Sequence, residues 1–344
     1  MTDSPADARV TIADKVGFLG SPAAYGELDG GVEVVETHMS YVFLAGRRAY
    51  KIKKPVRYPF LDHTSLKARE VDCRAELKLN SRLAANVYLG LAPLTMAPNG
   101  FLALGGKGET VEWVIVMRRL PAARMLDRLL TEDALKSADV DRLAVALARF
   151  YRGAAHPAIA PAAYVDRLVK EQAVNRDVLT ARGFALDHDR APAVLDRIDA
   201  ALQSHADRLG ARAAEGRLVD GHGDLRPEHV CLAEDVAIVD CLEFSAELRM
   251  VDPVDELAYL GLECALLGAP WFGPVLFERV MKTLRIEPIH PLFHLHGSRR
   301  AALRARLALA HLLDPEPREP AKWEPLAARY LDLAEEALDR LEGG

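Results

Sequence analysis

Alternating apolar and polar residues dominate the first third of the chain. Two runs, VEVVETHMSYVFLAG from Val32 and AYKIKK from Ala49, favour β-strands and flank a tight turn at Arg47-Arg48, which predicts a β-hairpin. From Ser65 to Leu83 the apolar residues recur at helical spacing, so this segment is predicted to be a helix. Strand signals return around Asn99-Gly100, a typical turn pair, and in the β-branched run VEWVIVM that follows.

The pattern changes after Pro121, where alanine, leucine and arginine recur at helical spacing. Leu143, Leu147 and Phe150 share one face of the clearest of these predicted helices. A short β-leaning interruption at about 218–244 separates them from further helices that run to the end of the chain. These patterns predict an α+β protein with a small β-rich N-lobe over residues 1–118 and a larger, mostly helical C-lobe over 119–344.

Composition narrows the class of protein. The 344 residues are 50% hydrophobic and carry a net charge of -6 with both signs interspersed, so we expect folded domains and no nucleic-acid partner. The most apolar stretch, at 257–273, is interrupted by Glu263 and Pro270, so we expect no membrane segment. The polar, acidic N-terminus and four cysteines without a C-x-x-C pair predict reduced thiols and a cytoplasmic protein.

The strongest chemical signal is the stretch GHGDLRPEH at 221–229, followed by the apolar-flanked Asp240. Asp224 lies on a loop that leaves one predicted strand and Asp240 ends the next, so a hairpin is expected to bring the two carboxylates together. Such a pair suits phosphoryl transfer, because one carboxylate can accept a substrate proton while the other holds Mg²⁺ against phosphate oxygens.

This stretch resembles the His-Gly-Asp-x-x-x-x-Asn catalytic loop of the aminoglycoside phosphotransferase-like family, a branch of the protein-kinase-like superfamily. The match covers His222-Gly223-Asp224 and the spacing, while His229 replaces the final asparagine. The resemblance implies a two-lobed protein-kinase-like fold with ATP and Mg²⁺ as cofactors. It also implies an enzyme that phosphorylates a hydroxyl group of a small molecule, with Asp224 as the catalytic base.

The resemblance extends to the N-lobe. Lys51, after Ala49 and Tyr50, is similar to the strand lysine that contacts the nucleotide phosphates, and Lys53 on the same strand face is an alternative. Glu76 on the following helix is similar to the glutamate that pairs with this lysine, with Glu70 as a weaker candidate.

Nucleotide-binding positions follow from the same resemblance. The family's adenine-binding hinge corresponds to the end of the VEWVIVM strand and the residues just after it, including Met117 and Arg119. A GxGxxG loop is missing, and His38 and Ser40 take its place between the first two strands as candidate phosphate contacts.

The resemblance assigns the metal to Asp240 and to His229. Imidazole nitrogen is a softer ligand than the amide oxygen that it replaces and suits Mg²⁺ poorly. Three readings of His229 therefore stay open: it binds the metal weakly, it hydrogen-bonds Asp224, or it leaves the metal to Asp240 and Glu243.

Acidic residues near these motifs suggest a cationic acceptor such as an amino sugar; they are Glu228, Glu243, Asp252 and Asp255. A protein acceptor is the alternative. Two other functions compete with a kinase: a nucleotide-binding pseudokinase, which the His229 substitution suggests, and a metal-dependent hydrolase built from His222, Asp224, His229 and Asp240. The Arg299-Arg300 pair is expected to lie on a solvated face.

Overall fold

The computed structural model describes residues 10–26, 30–58, 61–314 and 317–343. Its packing divides the chain into two compact units. The first lies within Met1–Arg124 and Ala233–Ala246, and the second within Met125–Leu232 and Glu247–Gly344. The segment Ala233–Ala246, which carries Asp240, thus belongs to the first unit. The boundary predicted from the sequence, after residue 118, places this segment in the C-lobe.

Short strands are concentrated before residue 120. In chain order they are β1 (Val32–Glu36), β2 (Ser40–Ala45), β3 (Arg48–Lys53), β4 (Arg57–Tyr58), β5 (Leu61–Asp62), β6 (Tyr88–Met96), β7 (Leu102–Leu104), β8 (Glu109–Arg118), β9 (Val219–Asp220), β10 (Val230–Leu232), β11 (Val236–Ile238) and β12 (Met250–Val251).

Helices occur in both units and make up most of the second. In chain order they are α1 (Ile12–Leu19), α2 (Leu66–Ala84), α3 (Leu126–Thr131), α4 (Ser137–Gly153), α5 (Pro161–Leu179), α6 (Arg190–Ser204), α7 (Ala206–Ala214), α8 (Ala246–Arg249), α9 (Pro253–Leu266), α10 (Phe272–Leu284), α11 (His290–Ala310) and α12 (Pro320–Glu342).

The first unit is built on a six-stranded antiparallel sheet in the order β1-β2-β3-β8-β6-β7. The predicted hairpin is its β2-β3 pair, in which Val42 opposes Lys51. Period-two alternation sends Phe43 and Ile52 into a core that also holds Leu94. This alternation fixes the register, because a shift by one residue would expose the core side chains and bury the polar ones.

Helix α2 packs on this sheet and confirms the helix predicted from the sequence. Ser65 caps it, since its hydroxyl accepts a hydrogen bond from the backbone N–H of Ala68 at 3.1 Å. One face of α2 buries Arg69, Cys73, Glu76 and Asn80 at successive three- and four-residue intervals. A polar buried face of this kind requires charged partners on the sheet.

Helix α9 lies at the centre of the second unit and explains the apolar stretch at 257–273. Every residue from Pro253 to Cys264 is buried. Among the described residues, no helix is both long and apolar enough to cross a membrane. The part of the run up to Cys264 therefore forms a core helix that is covered by protein, whereas Leu267 and Trp271 beyond it are exposed.

Buried ion pairs hold α9 to its neighbours. Asp252 caps the helix and receives two hydrogen bonds from Arg212, at 2.7 and 2.8 Å. Asp255 receives two from Arg300, at 2.7 and 2.9 Å. The expectation that Arg299 and Arg300 lie on a solvated face is wrong, because the side chain of Arg299 is 5% exposed and that of Arg300 is 14% exposed, and Arg300 pairs with the buried Asp255.

A second buried cluster joins α1 and α2 to the sheet of the first unit. Glu112 on β8 is fully buried and accepts hydrogen bonds from Lys15 Nζ at 3.0 Å and Arg69 Nε at 2.9 Å. Both cations are themselves less than 5% exposed. Two buried positive charges thus share this carboxylate.

We expect Glu112→Gln to lower the free energy of unfolding by about 3–5 kcal/mol, because it removes the buried negative charge that Lys15 and Arg69 share. Glu70→Gln is the matched control, since Glu70 pairs only with surface cations at the helix exterior and its loss should cost less than about 1 kcal/mol. Urea unfolding of both variants measures the difference. Equal losses would contradict a structural role for Glu112.

Candidate active site

The predicted site residues fall into two groups, one in each unit. Lys51, Glu76 and Asp240 come together in the first unit. Asp224 and His229 come together in the second.

In the first unit, Lys51 connects the sheet to helix α2 and to the segment Ala233–Ala246. Its Nζ donates to Glu76 Oε1 at 2.9 Å and to Asp240 Oδ1 at 2.7 Å. Burial opposes the charge, but the carboxylates of Asp240 and Glu76 hold the pKa of Lys51 well above its ordinary value. Lys51 is therefore a permanent cation that faces two acids.

Lys53, the alternative to Lys51, contacts the same glutamate from the other side. Its Nζ donates to Glu76 Oε2 at 2.9 Å and also to Glu243 Oε1. Lys53 is only 2% exposed, whereas the side chain of Lys51 is 12% exposed and that of its partner Asp240 is 49% exposed. Lys51 thus opens toward the accessible carboxylate, and Lys53 is enclosed behind it.

Glu76 is the pivot of this group. Its side chain is fully buried and each of its oxygens accepts a hydrogen bond from a different lysine. Burial alone would raise its pKa, but Lys51 and Lys53 outweigh burial and lower it. The ionised carboxylate therefore fixes both lysines on one face of β3.

Two contacts that the sequence did not reveal position Asp240. Asn80 Oδ1 accepts from the backbone N–H of Cys241 at 2.9 Å, and the Tyr88 hydroxyl accepts from the backbone N–H of Asp240 at 3.3 Å. Asp240 itself has a left-handed backbone with a φ of 64°. Among non-glycine residues, aspartate and asparagine adopt this conformation most readily.

The predicted nucleotide contacts have mixed placements. His38 is exposed in the β1–β2 turn and stacks on Tyr58, with ring centroids 5.5 Å apart. Ser40 is 3% exposed at the start of β2, where its backbone N–H donates to the Thr37 hydroxyl. Ser40 therefore shapes this turn and does not present its side chain at the surface.

Met117 and Arg119 lie at the end of β8 and just beyond it. Met117 pairs with Ala49 on β3. The backbone N–H of Arg119 donates to Arg47 O at 2.9 Å, and its guanidinium donates to Glu33 at 3.0 Å. The backbone N–H of Arg119 is therefore already bonded to the turn between β2 and β3.

In the second unit, Glu256 holds the loop that carries Asp224. Its Oε1 accepts from the backbone N–H groups of His222 and Gly223 at 2.8 and 2.7 Å, and its Oε2 accepts from the Tyr151 hydroxyl at 3.0 Å. A Cβ at Gly221 would lie 2.5 Å from Val251 and 2.9 Å from Glu256, so this close approach requires glycine.

Both carboxylate oxygens of Asp224 have partners in the same unit. Tyr259 donates its hydroxyl to Oδ1 at 3.0 Å, and Arg226 Nε donates to Oδ2 at 3.1 Å. Burial works to raise the pKa of Asp224, but its charged neighbours, with the Arg226 guanidinium first among them, outweigh burial and lower it. Asp224 is therefore ionised at neutral pH, and its remaining lone pairs can accept a proton or a hydrogen bond.

Tyr259 was missed by sequence reasoning. It follows Glu256 by three positions, so both side chains project from the same face of α9 toward the Asp224 loop. This spacing is a usable signal only once the loop-binding role of Glu256 is known.

His229 contacts the backbone of Asp224. Because a carbonyl oxygen can only accept, Nδ1 of His229 carries the proton and donates to Asp224 O at 2.8 Å. Nε2 faces Arg226 Nη2 at 3.3 Å and must be the acceptor there, since a guanidinium only donates. Both ring nitrogens are thus engaged with the protein, which favours the reading in which His229 hydrogen-bonds Asp224.

No protein-family model matches the sequence. Among curated proteins, uncharacterized proteins of Mycobacterium tuberculosis and Mycobacterium bovis are 30% identical over 310 residues. The match covers 89% of this chain and 60% of each relative, so the chain spans less than two thirds of the relatives' length.

Solved structures resemble the chain over almost its whole length. A choline/ethanolamine kinase family protein from Mesorhizobium loti has a TM-score of 0.53 and 19% identity, covering 97% of this chain and all of that one. A choline kinase from Cryptosporidium parvum has a TM-score of 0.55 and 10% identity, covering 96% and 94% of the two chains.

A thermostable mutant of an aminoglycoside phosphotransferase has a TM-score of 0.56 and 12% identity, covering 95% of this chain and 99% of that one. Together with the antiparallel sheet of the first unit and the helices of the second, these likenesses confirm the predicted fold class. The chain has the protein-kinase-like fold of the small-molecule kinases.

Proposed function

We propose that the protein is an ATP-dependent phosphotransferase that acts on a hydroxyl group of a small molecule. The observation that carries this proposal is the contact of Lys51 with both Glu76 and Asp240. A strand lysine tethered by a helix glutamate and facing an accessible aspartate is the arrangement that kinases use to bind nucleotide phosphates. Two solved structures of the same fold, a choline kinase and an aminoglycoside phosphotransferase, support the reaction class.

Each charged residue receives a role from its surroundings. Lys51 neutralises the α- and β-phosphates, and Glu76 keeps it in place. Asp240 fits Mg²⁺, because its half-exposed carboxylate offers the hard oxygen that this ion prefers. The bound ion would neutralise charge on the phosphate oxygens. His229 is not needed as a ligand, because its nitrogens contact the Asp224 loop.

Asp224 orients the acceptor hydroxyl and takes its proton. Tyr259 and Arg226 hold its two oxygens in a fixed plane, and the lowered pKa keeps the carboxylate ionised before the reaction. The attacking oxygen then gains nucleophilicity as its proton moves to Asp224. Glu256 contributes indirectly by fixing the backbone of the loop.

The acceptor is proposed only as a hydroxyl compound. The four acids that suggested a cationic acceptor are each paired with a cation of their own unit: Glu228 with Arg226, Glu243 with Lys53, Asp252 with Arg212, and Asp255 with Arg300. Paired acids leave little net charge to select an amino sugar. Measuring ADP release with amino sugars, neutral sugars, amino alcohols and polyols identifies the acceptor class.

Asp224→Asn is expected to lower turnover at least about 100-fold while nucleotide affinity stays within about twofold, because the amide cannot accept the hydroxyl proton. Asp177→Asn, which removes an exposed carboxylate in the same unit, is the control and should retain full turnover. ADP release and nucleotide titration measure the two quantities. Full turnover in the Asp224 variant would exclude the proposed base, and nucleotide binding without turnover in the native protein would favour a pseudokinase.

The two lysines of β3 are separated by a matched pair of variants. Lys51→Met should weaken nucleotide binding and lower turnover at least about 100-fold, because it removes the cation that faces Asp240. Lys53→Met should mainly lower stability, since it removes an enclosed cation that contacts both Glu76 and Glu243. Nucleotide titration and urea unfolding on both variants measure this contrast. A larger loss of nucleotide affinity in the Lys53 variant would reverse the assignment.

Tyr259→Phe should move the acidic limb of the pH profile of kcat/KM to higher pH by about one unit. The hydroxyl stabilises the ionised form of Asp224, so its removal raises the pKa of that carboxylate. Tyr151→Phe deletes a hydroxyl that donates to Glu256 instead, and should leave the acidic limb in place. Identical profiles for the two variants would show that Tyr259 does not act on Asp224.

A further inference from the structure

A cavity of about 100 Å³ in the second unit is not explained by the proposed reaction. It is lined by residues of α5 and α11 and by the segment at 247–251. At about 30 Å³ per water it has room for about three waters, which is the scale of a phosphate group.

The cavity wall carries more positive than negative charge. Four arginines line it against three acids: Arg167, Arg299, Arg300 and Arg306 against Glu171, Glu247 and Asp255. The sequence places these charges by helical spacing, because positions 167, 171 and 175 share one face of α5 and positions 299, 303 and 306 share one face of α11. Where the two helices face each other, their polar stripes enclose the cavity.

Three of the arginines already pair with carboxylates. Arg300 makes two hydrogen bonds to Asp255, and Arg299 Nη2 donates to Glu171 at 2.9 Å. Arg167 Nε lies 3.8 Å from Glu171 Oε1, and its terminal nitrogens donate to the backbone carbonyls of Glu247 and Met250, at 3.1 and 2.7 Å. These contacts set the shape of the cavity and leave one charge to be compensated.

Arg306 supplies that charge. Its Nε donates to the neutral amide oxygen of Asn175 at 2.9 Å, and no carboxylate of the described chain lies within ion-pair distance of it. Burial lowers its pKa, against the weaker pull of Glu171, as expected for a cation that lacks a close counter-charge. The guanidinium keeps further N–H donors in a planar fork that matches the oxygens of phosphate.

We propose that this cavity is a binding site for a small tetrahedral oxyanion of the phosphate class, with Arg306 as its principal ligand. The anion would supply the missing counter-charge and replace about three waters. The proposal does not rest on the proposed kinase activity, because none of its residues takes part in the assigned chemistry. Both free phosphate and the phosphate of a monoester have this chemistry.

The test measures inorganic phosphate binding by isothermal titration calorimetry at constant ionic strength, with sodium chloride as the balancing salt. All titrations use the Lys51→Met background, so that phosphate binding at the proposed nucleotide site does not contribute. We expect saturable binding at one site per chain. Heat that does not saturate, or none at all, would overturn the proposal.

Two variants locate the site. Arg306→Gln should weaken phosphate binding at least tenfold by removing the unpaired cation, and Leu303→Trp should weaken it similarly by filling the cavity without changing the charge. Arg176→Gln is the matched control, since Arg176 on α5 pairs with exposed acids on α6 and should leave affinity unchanged. Thermal unfolding checks that each variant is folded. Equal affinity in the Arg306 and Arg176 variants would overturn the proposal.

A second titration distinguishes the sources of the anion. Glycerol phosphate that binds as tightly as inorganic phosphate, with the same loss in Arg306→Gln, would show that the cavity accepts an esterified phosphate. Binding of inorganic phosphate alone would identify a site for the free ion. Either result supports the oxyanion site. Glycerol phosphate binding that is unchanged in Arg306→Gln would overturn the proposal that the cavity binds esterified phosphate.

Discussion

The buried carboxylate of Glu76 is the constraint on which the first unit depends. It lies between two lysines of the same strand, and it is the carboxylate that both of them contact. Because each oxygen binds a different lysine, the carboxylate separates their roles: Lys53 is fixed inside with Glu243, and Lys51 is directed to Asp240. The proposed nucleotide chemistry therefore depends on the buried ion pairs of Glu76, which hold Lys51 beside Asp240.

The sequence predicts this group well, since period-two alternation places Lys51 and Lys53 on one face and helical spacing buries Glu76. It does not separate the two lysines, because strand geometry treats them alike. Their difference arises from Glu243 and Asp240, which reach them from a segment nearly 190 positions later. Local patterns carry no information about contacts of that range. The roles given to His38, Ser40, Met117 and Arg119 remain predictions for the same reason.

The second unit shows the opposite balance. The motif around Asp224 is visible in the sequence, but the residues that orient it are not: Tyr259 and Glu256 belong to a helix that is buried from Pro253 to Cys264. Arg299 and Arg300 were misplaced because an arginine pair is usually solvated, whereas here both side chains are largely buried and pair with acids on neighbouring helices. Arg300 also lies over the ring of Tyr259, 5.1 Å from its centroid. A single contact therefore connects the cavity wall to the residue that orients Asp224.

The left-handed backbone at Asp240 limits what evolution can place there. Asparagine and glycine adopt this conformation at little cost, whereas β-branched residues are strongly disfavoured. A lineage that lost the carboxylate by drift would thus be expected to carry asparagine or glycine at this position and to keep its turn intact. The residue at position 240 in distant homologues would therefore show whether selection acted on the carboxylate charge or only on the left-handed backbone conformation.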